Sequence, residues 1–114
     1  MEISKRDWKL YREKMPQWQE AYMERLAKEY IELLSQDISS AERFWTLEKR
    51  IKEDKKKPGV VVEMVRSHML YDIIGLIDDK AITMDDLNEF SDDFKEEVLR
   101  ILNHKPIYYE EDDE

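Results

Sequence analysis

Trp8, Tyr11, Met15, Trp18 and Tyr22 recur at intervals of three and four residues, the period of one face of an α-helix. Ser4 stands just before this stripe with Asp7 three residues later. That is the spacing of a capping box with Asp in the usual Glu position, so a first helix is predicted to begin at Ser4. Pro16 interrupts the pattern. It has no N–H and its ring clashes with the preceding turn, so it predicts either a kink or the first turn of a new helix. From Gln17 to about Ser35 the stripe continues as Trp18, Tyr22, Leu26, Tyr30 and Leu33. Met23, Ala27, Ile31 and Leu34 lie beside it, and the segment reads as a central helix with two core-facing stripes.

Ser39 with Glu42 forms the next capping box, and Phe44, Leu47 and Ile51, flanked by Trp45, define a third helix. Lys55, Lys56 and Lys57 place cations on its negative end, directly before Pro58 and Gly59. Val60 to Asp79 is apolar nearly all round and reads as a buried centrepiece helix, although three consecutive valines leave Pro58 to Arg66 open to an extended form. Thr83 with Asp86 starts a brief helix through Phe90, and Ser91 caps a last one whose buried positions are Phe94, Val98, Ile101 and Leu102. The fold class predicted is all-α: a single bundle of five or six helices over residues 1–105, followed by a mobile acidic tail at 106–114.

Composition agrees with a helical bundle, since only two Gly and three Pro are present and 41% of residues are charged. There is no Cys, so disulfides and thiolate chemistry are excluded and a reducing compartment fits best. The N-terminal residues lack the apolar core of a signal peptide. The most apolar stretch, Val60 to Ile77, is broken by Glu63, Arg66, His68 and Asp72, so no membrane span is expected and a cytoplasmic location is predicted. The net charge of −9 is unevenly placed: residues 1–57 carry 14 bases against 12 acids, residues 58–114 five against 16. Such a C-terminal half repels nucleic acid and anionic lipid and attracts basic surfaces.

Candidate chemistry is sparse. Placing Ile82 at the eighth position of a calcium loop puts Lys80 where that loop needs Gly, so an EF-hand fails on register. The carboxylates from Asp86 to Glu97 lack the Glu-x-x-His pairs of di-iron bundles, and two His without Cys make a poor zinc site. Ser67, His68 and Asp72 point in different directions on a helix and form no triad. The basic run Lys49 to Lys57 has no interleaved aromatic on which a base would stack. A helix-turn-helix reading of the last two helices would set Asp92, Asp93, Glu96 and Glu97 against phosphates, so no direct nucleic-acid binding is expected. No catalytic residue, metal or cofactor is predicted.

WQEAYMERL at 18–26, EKRIKEDKKKPGV at 48–60 and ITMDDLNEFSDD at 82–93 resemble a group of small uncharacterised helical proteins of Gram-positive bacteria. The likeness runs from about Ile3 to Leu102. Some members carry the label "multidrug transporter", which the lack of a spanning segment contradicts here. The resemblance implies a bacterial accessory protein, some relatives belonging to mobile elements, and supplies no functional residues to carry over.

The function expected is that of a non-enzymatic interaction module whose acidic surface, Asp85, Asp86, Glu89, Asp92, Asp93, Glu96 and Glu97, binds a basic protein partner. The alternative is an inhibitor that mimics nucleic acid and occupies a nuclease or a CRISPR effector. A regular phosphate-like array of carboxylates would favour mimicry, and scattered carboxylates beside an apolar patch would favour ordinary binding. A straight helix from Ser4 to Ser35 would be about 48 Å long, against a diameter of roughly 35 Å for a compact domain. Either the chain therefore turns near Pro16, or Trp8, Tyr11, Met15 and Trp18 project to meet a second copy in a homodimer.

Overall fold

The computed structural model describes residues 1–104, so the acidic tail expected at 106–114 lies outside the described residues. Within them the protein is all-helical. Four α-helices are present, α1 (Lys5–Leu34), α2 (Ser40–Asp54), α3 (Met69–Asp78) and α4 (Asp92–His104), with single 3₁₀ turns at Arg66–His68 and Met84–Leu87. This corrects the expected count of five or six helices. The polar starts predicted for these elements are all found. Ser4 and Ser39 accept from the backbone of Asp7 and Glu42, Thr83 and Asp86 cap each other's backbone, and Ser91 Oγ accepts from Phe94 N at 3.3 Å.

Two local alternatives are decided in part. Pro16 does not start a new helix, since α1 runs through it for 30 residues. The reason is positional: Pro16 and Arg12, whose carbonyl loses its donor, both lie on the solvent side, while Tyr11, Met15, Tyr22 and Leu26 are buried on the other. The helix expected over Val60 to Asp79 begins only at Met69. Its valine-rich start is not helical, because β-branched side chains disfavour helix and Arg66 ties the segment to the N-terminus by donating to the Ile3 carbonyl.

The core joins the first half of α1 to α3, the 3₁₀ turn at Met84–Leu87 and α4, with Tyr11, Met69, Ile73, Leu76, Leu87, Phe94 and Val98 fully enclosed. Asp7 fastens two ends of the chain together. Its carboxylate accepts from Ser91 N at 3.0 Å and from Ser91 Oγ at 2.6 Å, across 84 residues of sequence. The Asp7 side chain thus serves the start of α4 and not, as in a reciprocal capping box, the start of its own helix.

The second half of α1 leaves the core and pairs with α2. Tyr22 and Leu26 are covered by the link between α2 and α3. Gln19 holds the Pro58 carbonyl at 3.0 Å, and Gly59 lies so close to Tyr22 that a Cβ there would sit 2.4 Å from the ring. The described chain measures 51 × 37 × 22 Å with a radius of gyration of 16.7 Å. A compact domain of this length has about 13 Å, and the excess reflects the projecting hairpin.

α3 ends in a Schellman motif: Ala81 N donates to Leu76 O at 2.8 Å and Lys80 N to Ile77 O at 3.0 Å, with Lys80 at φ 61°. Arg25 of α1 reinforces this end by donating to the Asp79 and Lys80 carbonyls. Lysine pays a steric penalty in this left-handed conformation that glycine does not. Lys80→Gly is therefore expected to stabilise the protein by about 1 kcal/mol, read as a rise of about 4–8 °C in Tm. An unchanged or lower Tm would mean that the Lys80 side chain contributes contacts that outweigh the strain.

Candidate interaction surface

The acidic surface is built by two caps in succession. The Thr83–Asp86 box opens the 3₁₀ turn and leaves Asp85 and Glu89 exposed, while Ser91, held by Asp7, aims the first turn of α4 so that Phe94 and Val98 face inward. Asp92, Asp93 and Glu96 are thereby turned to solvent and Glu97 is half-buried. All seven acids proposed from the sequence fall on this one stretch.

They are not equivalent electrostatically. Asp86 accepts from Thr83 N at 2.8 Å, Glu89 lies 3.8 Å from Lys14, and Asp92 lies 3.4 Å from Lys95. Glu97 pairs with Arg100, whose hydrogen bond holds the Glu97 carboxyl below its ordinary value. Among the described residues the side chains of Asp85, Asp93 and Glu96 have no ion-pair or hydrogen-bond partner. They are the unneutralised charge of the surface. Leu99, 45% exposed, follows Glu96 by three residues and Asp92 by seven, so it lies on the same outer face of α4.

The residues expected to contact a second copy are placed differently. Tyr11 and Met15 are buried and Trp8 and Trp18 half-buried, all within the chain's own core. An aromatic series runs from Trp8 through Tyr11 and Trp18 to Phe90 and Phe94, with centroid spacings of 5.6 to 6.4 Å. The Tyr11 hydroxyl donates to Asp72 at 3.2 Å; burial and this carboxylate push the phenol well above its ordinary value, and burial raises Asp72 as well. The helix thus extends past the core at its other end, and Tyr11 and Met15 keep no surface for another chain.

The stripes read as core on the hairpin are the reverse case. Met23, Ile31, Leu34, Phe44, Trp45 and Ile51 are all exposed. Sequence reasoning set Met23, Ile31 and Leu34 on core-facing stripes and Phe44 and Ile51 on the stripe that defines α2, with Trp45 at its flank, and the missed signal was their number. The apolar faces of α3 and α4 are used up by the first half of α1 and leave nothing to cover a second pair of stripes.

Between the hairpin helices lies a charge cluster centred on the buried Asp54. Asp54 accepts from the Tyr30 hydroxyl and lies 3.1 Å from Arg50 Nε and 3.4 Å from Lys57 Nζ, while Arg50 also reaches Glu29. The adjoining cleft, lined by Met23, Leu26, Tyr30 and Ile51, holds about 240 Å³, below the roughly 300 Å³ at which small-molecule sites begin.

Comparison with protein-family models, with curated proteins and with solved structures yields no match. Among the described residues no three His, Asp or Glu side chains converge on a point where a metal ion could sit, and no helix is long and apolar enough to cross a membrane.

Proposed function

We propose that the protein is a non-enzymatic interaction module that binds a basic protein surface through the acidic face of the 3₁₀ turn at Met84–Leu87 and α4. The observation that carries this reading is the combination of unneutralised Asp93 and Glu96 with the exposed Leu99 on α4, and unneutralised Asp85 in the turn before it. Three unpaired carboxylates repel one another, and a basic partner relieves that repulsion on binding. The same geometry favours ordinary binding over nucleic-acid mimicry. Asp86, Asp92 and Glu97 are drawn into local caps and pairs, so the acids form no regular row, and an exposed leucine has no counterpart along a phosphate backbone.

The test is affinity capture from the native host with quantification of what is retained at low salt and released at high salt. Asp85→Lys, Asp93→Lys and Glu96→Lys in one variant are expected to reduce that fraction at least about tenfold while helical circular dichroism is preserved. Lys49→Glu with Lys56→Glu is expected to leave it unchanged. If the acidic variant retains the same proteins and the lysine variant loses them, binding resides on the opposite half of the chain.

A further inference from the structure

The hairpin of α1 and α2 presents a face that nothing in the chain covers. Arg43, Leu47, Arg50 and Asp54 are the half-buried or buried positions of α2 and recur at four, three and four residues, so they form the side turned to α1. Phe44 and Ile51 lie on the flank of that stripe and continue the apolar flank of α1. Ile51 and Lys55 line both the cleft floored by Leu26 and Tyr30 and a second cleft against Phe44 and Leu47, which makes the surface continuous. Phe44 and Trp45 are 63% exposed and pack edge to face at 4.9 Å, and Ile31 is 64% exposed. Leu34, Met23 and Ile51, at 37–43%, share this flank with Phe44, and the four together present on the order of 350 Å² of apolar surface. That lies within what ordinary monomers expose and is a little under half of the roughly 800 Å² per partner that a stable interface uses.

Charge selects the occupant. Residues 17–57 hold nine acids and nine bases, so the hairpin is neutral and the whole net charge of −9 lies elsewhere. A second copy approaching here avoids the repulsion that opposes it elsewhere on the molecule. The face is also self-complementary. Glu48 precedes Ile51 by three residues and Lys55 follows it by four, on the same flank of α2, and Lys55 has no side-chain partner among the described residues. A two-fold axis beside Ile51 and Lys52 sets Glu48 of each chain against Lys55 of the other, twice per interface, as an isologous contact requires.

We propose that this face is the interface of a homodimer in which two α1–α2 hairpins pair about a two-fold axis into a four-helix bundle, with Glu48 and Lys55 paired across it. The acidic surface, fastened to the first half of α1 by the Asp7–Ser91 contact, stays free, so the proposal does not rest on the function proposed above.

The test is sedimentation equilibrium of the full chain from low to high micromolar concentration. The wild type is expected to reach the dimer mass, and Phe44→Glu to remain monomeric with unchanged circular dichroism, since that side chain contributes little to the monomer. Met23→Glu, on the same flank of α1, serves the same purpose should Phe44→Glu fail to fold. Glu48→Lys and Lys55→Glu are each expected to weaken the dimer about tenfold through two like-charge contacts, and the double variant to restore it. Leu99→Glu on α4 is expected to leave the mass unchanged. A monomeric wild type at high micromolar concentration, a dimer indifferent to Phe44→Glu, a double variant as weak as the singles, or dissociation by Leu99→Glu would each overturn the proposal. The Asp85, Asp93 and Glu96 reversals leave this interface intact, so failure of partner capture and failure of dimerisation are read separately.

Discussion

Asp7→Ala is expected to lower the stability of the fold by about 2–4 kcal/mol, the range for removing a charged acceptor from buried donors. The carboxylate is 98% buried and holds both the backbone N–H and the hydroxyl of Ser91, which in turn accepts from Phe94 N at the start of α4. Without it the half-buried Ser91 N–H loses its acceptor, and α4 loses one of the negative charges at its positive end, Asp92 and Asp93 remaining. Asp7→Asn keeps the shape and one acceptor but not the charge, and is expected to cost about half as much. In a domain of this size the alanine variant corresponds to a fall of roughly 10–20 °C in Tm. Thermal unfolding followed by circular dichroism measures it, and a loss under 1 kcal/mol would show that α4 is held by Phe94 and Val98 alone.

The second large effect is expected at Asp54. Its removal leaves Arg50 and Lys57 facing each other and the Tyr30 hydroxyl without an acceptor, between α1 and α2. A fully buried pair broken in this way costs about 3–5 kcal/mol; Arg50 and Lys57 are about one-third exposed and Arg50 keeps Glu29, so about 2–3 kcal/mol is expected for Asp54→Ala. Tyr30→Phe removes one donor only and is expected to cost about 1 kcal/mol. The Tyr30 phenol, pushed up to about 12 by burial and then by its bond to Asp54, supplies a local readout. Phenolate absorbance, assigned against Tyr30→Phe, is expected to show this group ionising at lower pH in Asp54→Ala. Urea unfolding that leaves both stability and titration unchanged would remove Asp54 as the link between α1 and α2.

Much of the helical layout was legible in the order of residues. The stripes of Tyr11, Met15 and Tyr22 and of Phe94 and Val98 are the buried faces they were read to be, and every Ser or Thr singled out as a helix start caps one. These signals are local, since a cap or a 3.6-residue period is complete within one turn of chain. Pro16 and the valines at 60–62 left two readings open because their effect depends on surroundings. A proline on the solvent side of a long amphipathic helix is tolerated, and a β-branched run tied back by Arg66 does not join the helix that follows.

The sequence by itself determined that this chain is helical, where three of its four α-helices start, and which stretch carries its unbalanced acids. Only the tertiary structure decided which apolar stripes are covered. A stripe records that a face seeks a partner and says nothing of whether the chain contains one. Here α3 and α4 occupy the first half of α1 and leave Met23, Ile31 and Leu34 in solvent, so residues read as core-facing become surface, while Tyr11 and Met15, open to core or to a dimer contact, are core. Likewise, Asp7 and Ser91 stand 84 residues apart, and only packing could show that the one completes the cap of the other.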